Sequence, residues 1–170
     1  WFLALVVLAQ AFPRPADAGF IAPRPVTEVI PLPMEEQTMS MALTPSGELY
    51  VGTGSNAHRF DGARWEALGL EHVAPIRSLH VDRHGRVWVG GYDRFGFLER
   101  LPDGEDRFTD LSPAFAAEHA AERIADIWEF AETDRAIYFR ALKHVLAVDH
   151  AGRRLGAWSH AGRMGSPIVV

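Results

Sequence analysis

The residues Ser40–Thr53 align without a gap on Ser78–Gly91, at an offset of 38 residues. In each copy a short alternating run (Met41-Ala42-Leu43, Leu79-His80-Val81) leads into a polar turn. The turn ends in Gly47 or Gly85 and opens onto an aromatic–Val–Gly run, Tyr50-Val51-Gly52 or Trp88-Val89-Gly90. Alternation is the period of a half-buried strand, and a glycine near the end of a short turn supplies the positive φ that a tight hairpin needs. A chain that repeats such a hairpin at fixed spacing is constrained to a series of like β units.

Each copy is followed by two more strand-like runs. Ala57–Asp61 and Arg64–Leu68 flank Asp61-Gly62, and Phe95–Leu101 and Asp106–Leu111 flank Asp103-Gly104. Ile76–Asp110 is therefore one four-stranded antiparallel unit. A looser third copy starts at Ile124, with Tyr138 where Tyr50 and Trp88 fall and Asp149-His150-Ala151-Gly152 where Asp103-Gly104 falls. Its first turn, Glu132–Arg135, lacks glycine. Between the second and third units, 113–123 is rich in alanine and glutamate with Pro113 at its start, which predicts a short helical insertion with Ala114 and Phe115 packed on the scaffold.

Four-stranded repeats of about 40 residues are the signature of β-propeller blades. A lone four-stranded sheet has two faces to bury, and neighbouring blades cover them. Tyr50, Trp88 and Tyr138 are then expected to pack between blades. The fold class is all-β, with about three blades at 38–75, 76–112 and 124–160 and the start of another at 167–170. A β-sandwich or barrel would also supply regular short strands, but the gapless self-match favours the propeller.

Trp1–Phe12 is apolar but for Gln10 and shorter than the roughly 20 residues that span a bilayer. Pro13-Arg14-Pro15 and the small-x-small run Ala16-Asp17-Ala18 follow. Residues 1–18 thus read as the hydrophobic and cleavage regions of a secretory signal peptide without its basic leader, with a buried helix or the end of a longer anchor as alternatives. The prolines at 23, 25, 31 and 33 make 19–37 an extended lead-in, in which Val26–Leu32 could add an edge strand. A start at Trp1 and a strand-like run at Pro167–Val170 suggest a fragment of a longer protein.

The 170 residues, 48% hydrophobic and 23% charged, suit a globular domain with a sizeable core, and a net charge of −5 argues against a nucleic-acid partner. There is no cysteine, which excludes disulfides and thiolate metal sites.

The order apolar–x–x–Asp–x–x–Gly–x–aromatic–Val–Gly resembles the two-component regulator propeller repeat. Leu79, Asp82, Gly85, Trp88, Val89 and Gly90 carry it. The first unit departs at Thr44 and Tyr50, and the third keeps the aromatic and the apolar spacing. The likeness covers roughly Met39–Trp158. It implies the periplasmic sensor region of a bacterial inner-membrane signalling protein, followed beyond Val170 by a membrane helix and a histidine kinase or GGDEF diguanylate cyclase output; a homodimer is compatible with that arrangement. The segment itself is expected to be non-catalytic.

The eight histidines are scattered without metal-ligand spacing, no nucleophile elbow occurs, and Gly52–Ala57 lacks the lysine and helix of a phosphate loop. No cofactor or metal is expected. Loops after the second strand of successive blades gather near one mouth of a propeller channel, so binding is expected there. Aligned, they hold Asn56, then Tyr92, Asp93 and Arg94, then Lys143 and His144, a mixed-charge set suited to a polar or anionic small molecule or a peptide. The alternatives are a protein-interaction scaffold and a propeller-based lyase or hydrolase.

Overall fold

The computed structural model describes residues 31, 32, 35–121, 123–159 and 161. The expected signal segment, most of the lead-in and the run at 167–170 lie outside them. Among the described residues twelve strands form three four-stranded antiparallel sheets in chain order. Sheet 1 holds β1 (Thr38–Leu43), β2 (Leu49–Thr53), β3 (Ala57–Phe60) and β4 (Trp65–Ala67). Sheet 2 holds β5 (Ser78–Val81), β6 (Val87–Gly90), β7 (Phe95–Arg100) and β8 (Asp106–Asp110). Sheet 3 holds β9 (Glu129–Glu132), β10 (Ile137–Arg140), β11 (His144–Val148) and β12 (Arg154–Ser159). The sheets meet mainly through their first strands, β1 against β5 and β5 against β9. These are successive blades of a propeller.

The self-match is a match of register. Ser40 pairs with Gly52 and Ala42 with Tyr50, while Ser78 pairs with Gly90 and His80 with Trp88. The first turns close alike: Thr44 Oγ1 accepts from Glu48 N at 3.0 Å, and Asp82 Oδ1 accepts from His84 N and Arg86 N, each at 2.9 Å. Asp82 also accepts from Trp88 Nε1 at 2.9 Å, so one carboxylate holds both the turn and the core indole. Burial alone would raise its pKa; these N–H donors outweigh it and hold the carboxyl below its ordinary value. In sheet 3 the glycine-free turn is closed by Thr133, whose N donates to Ala136 O at 2.9 Å and whose Oγ1 accepts from Ala136 N at 3.2 Å.

The repeat also encodes the joint between blades. Ile76 N donates to Thr53 O at 2.9 Å and its carbonyl accepts from Ser40 Oγ; Ile127 N donates to Gly91 O at 3.0 Å and its carbonyl accepts from Ser78 Oγ. The isoleucine of each following blade lies on the glycine opposite that serine. A Cβ on Gly52 would stand 2.6 Å from Ile76 Cγ2, and one on Gly90 2.6 Å from Ile127 Cγ2. The isoleucine and serine side chains packed onto these positions, not turn geometry, require glycine there.

The two seams are filled differently. Between sheets 1 and 2 lie Tyr50, Leu70, Val73, Ile76, Val89 and Leu98. Between sheets 2 and 3 the filling is aromatic: Trp88 meets Phe139 edge-on at 5.7 Å and Phe95 meets Phe139 at 4.7 Å. Tyr50 and Trp88 thus sit between blades as expected. Tyr138 is half-buried and, being adjacent to Phe139, points to the opposite face of its sheet, away from sheet 2. The insertion is a 3-10 turn (Ser112–Phe115) running into α1 (Ala116–Ala121). Phe115 is fully buried against Phe95, whereas Ala114 is exposed; the packed face is narrower than expected because only the aromatic reaches the seam. Arg154 clamps the insertion by donating to Ala114 O at 2.8 Å and to Glu118 at 2.6 Å.

Candidate functional site

Antiparallel order brings the loop after the second strand of each sheet to the same strand ends as the links between sheets. The three loops have one hydrogen-bond frame: Thr53 N to Asn56 O at 2.8 Å, Gly91 N to Arg94 O at 2.9 Å, and Ala141 N to His144 O at 2.8 Å. Their side chains have diverged. Asn56 is buried; its Oδ1 accepts from Ala57 N and Leu70 N, each at 2.8 Å, and its Nδ2 donates to Glu71. It braces the link to sheet 2. His144 is likewise buried, at the start of β11. Lys143 is half-buried beside it.

The loop of sheet 2 is the polar, accessible one. Tyr92 is 40% exposed and bridges to Asp126 in the following link. Asp93 has φ +55 and faces Ala125, with φ +62. Each is in the left-handed region that disfavours L side chains, at roughly 1 kcal/mol or more apiece. They hold one another: Asp93 N donates to Ala125 O at 2.9 Å, and Ala125 N donates to Asp93 Oδ1 at 2.6 Å. Asp93 Oδ2 pairs with Arg123 at 3.2 Å, and Arg94 pairs with Asp110 Oδ2. Ser112 closes Asp110 from its other side, donating from N at 2.9 Å and from Oγ at 2.6 Å to Oδ1. Asp93, Arg94, Ser112, Pro113, Ala116 and Arg123 line a cleft of about 410 Å³. Of the six loop residues expected from sequence, this cleft gathers Asp93 and Arg94; Ser112 joins them from the insertion and Arg123 from the link after it. No local motif marks those two, because only the fold of the insertion brings them to the loop.

A larger cleft of about 830 Å³ lies over the seam between sheets 1 and 2, on the side of the turns Thr44–Glu48 and Asp82–Arg86. Its polar groups are locked together. Arg100 donates to Asp106 and Glu48, each at 2.8 Å, and to Tyr50 Oη at 3.0 Å. Arg59 reaches Glu48 at 3.3 Å and also pairs with Glu66. Burial, with the Asp106 charge nearby, pushes the Tyr50 phenol up to about 12, so it stays protonated and donates to Asp106. Burial also raises the Asp106 carboxyl, against the pull of Arg100. This cleft is a cross-blade brace.

Among the described residues no group of three or more His, Asp or Glu is placed to hold a metal ion, and no helix is long and apolar enough to cross a membrane. No curated protein matches the chain. A family model, two component regulator propeller, matches residues 69–93. The matched stretch starts in the link before β5, takes in Ile76, Asp82, Trp88 and Gly90, and ends on Tyr92-Asp93. It supports the resemblance read from the repeat, with the residues that build the joint, the turn and the seam inside it. Residues 69–93 are thus similar to a two component regulator propeller repeat, and they lie within a series of three propeller blades among the described residues.

Proposed function

We propose that this propeller is the extracytoplasmic, ligand-sensing part of a bacterial membrane signalling receptor, with a diguanylate cyclase or a histidine kinase as output. The family match at 69–93 carries the reading, since repeats of that kind are those of two-component regulators. The apolar leader and the small-x-small run at Ala16–Ala18 support export. On this reading the loops holding Asn56, Tyr92, Asp93, Arg94, Lys143 and His144 frame the sensing mouth. Ligand there favours one arrangement of the loops and links over another and biases the output by a population shift, with no bond made or broken.

The test is a thermal-shift screen of small polar metabolites and short peptides, followed by output activity of the full-length receptor with each hit. The reading expects a ligand that raises the melting temperature and changes output, both weakened by the double change Arg94→Met and Lys143→Met. No hit, or hits that leave output unchanged, would count against it. A second reading, an interaction scaffold, is favoured by Leu155 and Trp158, exposed at 56% and 54% on β12.

A further inference from the structure

We propose that the cleft between the loop of sheet 2 and the helical insertion binds a soluble oxyanion, a carboxylate, sulfate or phosphate group, through Arg94 and Arg123. This names the ligand chemistry of one part of the proposed sensing mouth and rests on that reading for its biological role. Donors are left over in this cleft. A guanidinium carries five N–H donors. Arg94 places one on Asp110 and Arg123 places one on Asp93, while both side chains are substantially open, at 49% and 68% exposure. Every oxygen of the two carboxylates, by contrast, already accepts from a partner. Asp110 accepts from Arg94 and twice from Ser112, and Asp93 accepts from Ala125 N and Arg123. The cleft is formally neutral and yet rich in donors, which is the chemistry that takes an added oxyanion and not a cation.

The geometry is also prepared. The Asp93–Ala125 clasp holds two residues at positive φ, which fixes the loop and keeps Arg94 and Arg123 on one cleft. Arg123 lies 6.0 Å from the Tyr92 ring centroid, and Pro113 and Ala116 supply an apolar wall. A small molecule with one oxyanion and a short apolar body fits this description.

The experiment measures the melting temperature of the full chain against sodium sulfate and against sodium acetate, with sodium chloride at matched ionic strength as the reference. The wild type is expected to gain about 4 °C at a tenfold excess over Kd in at least one arm. The double variant Arg94→Met/Arg123→Met is expected to lose that gain. Arg94→Lys/Arg123→Lys, which keeps charge without the fork, is expected to retain a reduced gain. Equal gains in wild type and the Met variant, or no gain over chloride, would overturn the proposal. So would binding to phosphatidylglycerol vesicles without a response to either free anion. A metabolite hit whose shift survives the Met variant would overturn this inference and leave the sensing reading standing; a sulfate response without any effect on output would do the reverse.

Discussion

The two clefts of this propeller use the same residue types to opposite ends. The larger one, over the seam between sheets 1 and 2, brings Arg100 against Glu48 and Asp106, which also pair with the buried Arg59 behind them, and Asp106 is only 3% exposed. The smaller one brings Arg94 and Arg123 against Asp110 and Asp93, and its arginines are 49% and 68% exposed. Volume would point to the first as the binding site. Hydrogen-bond saturation points to the second. Arg100 spends its donors on Asp106, Glu48 and Tyr50, three partners within the protein, which leaves few for a ligand. A rim guanidinium with one partner is worth little to stability and keeps its other donors available.

That contrast can be broken by four substitutions. Asp106→Ala leaves Arg59 and Arg100 short of a buried partner and should cost about 3 kcal/mol in urea unfolding; a loss under 1 kcal/mol would mean the brace is ornamental. Asp82→Asn removes the charge that holds turn and indole, and should cost about 1–2 kcal/mol near neutral pH. Because the folded Asp82 carboxyl lies below its ordinary 3.8, this stability is present above that value and lost as pH falls through the lowered one. Urea midpoints of wild type and Asp82→Asn should therefore begin to approach one another as pH falls below about 4, and a constant gap would show that charge is not the cause. Tyr50→Phe takes one hydroxyl from Arg100 and Asp106 and should cost about 1 kcal/mol, read by the same unfolding curves. Arg94→Met should change stability by less than about 0.5 kcal/mol.

Much of the fold could be read from the sequence because the repeat fixes register. The offset between Ser40–Thr53 and Ser78–Gly91 placed each strand opposite its partner, and a one-residue slip would have turned Tyr50 and Trp88 out of the seams. The third unit was harder, since Thr133 closes by a side-chain hydroxyl the turn that glycine closes elsewhere. The serine–glycine–isoleucine joint stood in the alignment, but its meaning depends on a residue of the next blade. The cleft was half legible. Asp93 and Arg94 stand out in the loop, whereas Arg123 and Ser112 reach it only after the insertion has folded on Phe115. Asn56 sits in an equivalent loop position and yet points inward, because Leu70 N and Ala57 N both need an acceptor there.

The two clefts divide into a bracing one and a proposed binding one. This division is tested most directly by melting wild type, Asp106→Ala and Arg94→Met/Arg123→Met side by side, each with and without sulfate. The arginine variant should melt within about 2 °C of wild type and fail to respond to sulfate. Asp106→Ala should melt far lower and still gain from sulfate. An arginine variant that melts as low as Asp106→Ala, or that keeps the sulfate gain, would contradict this division.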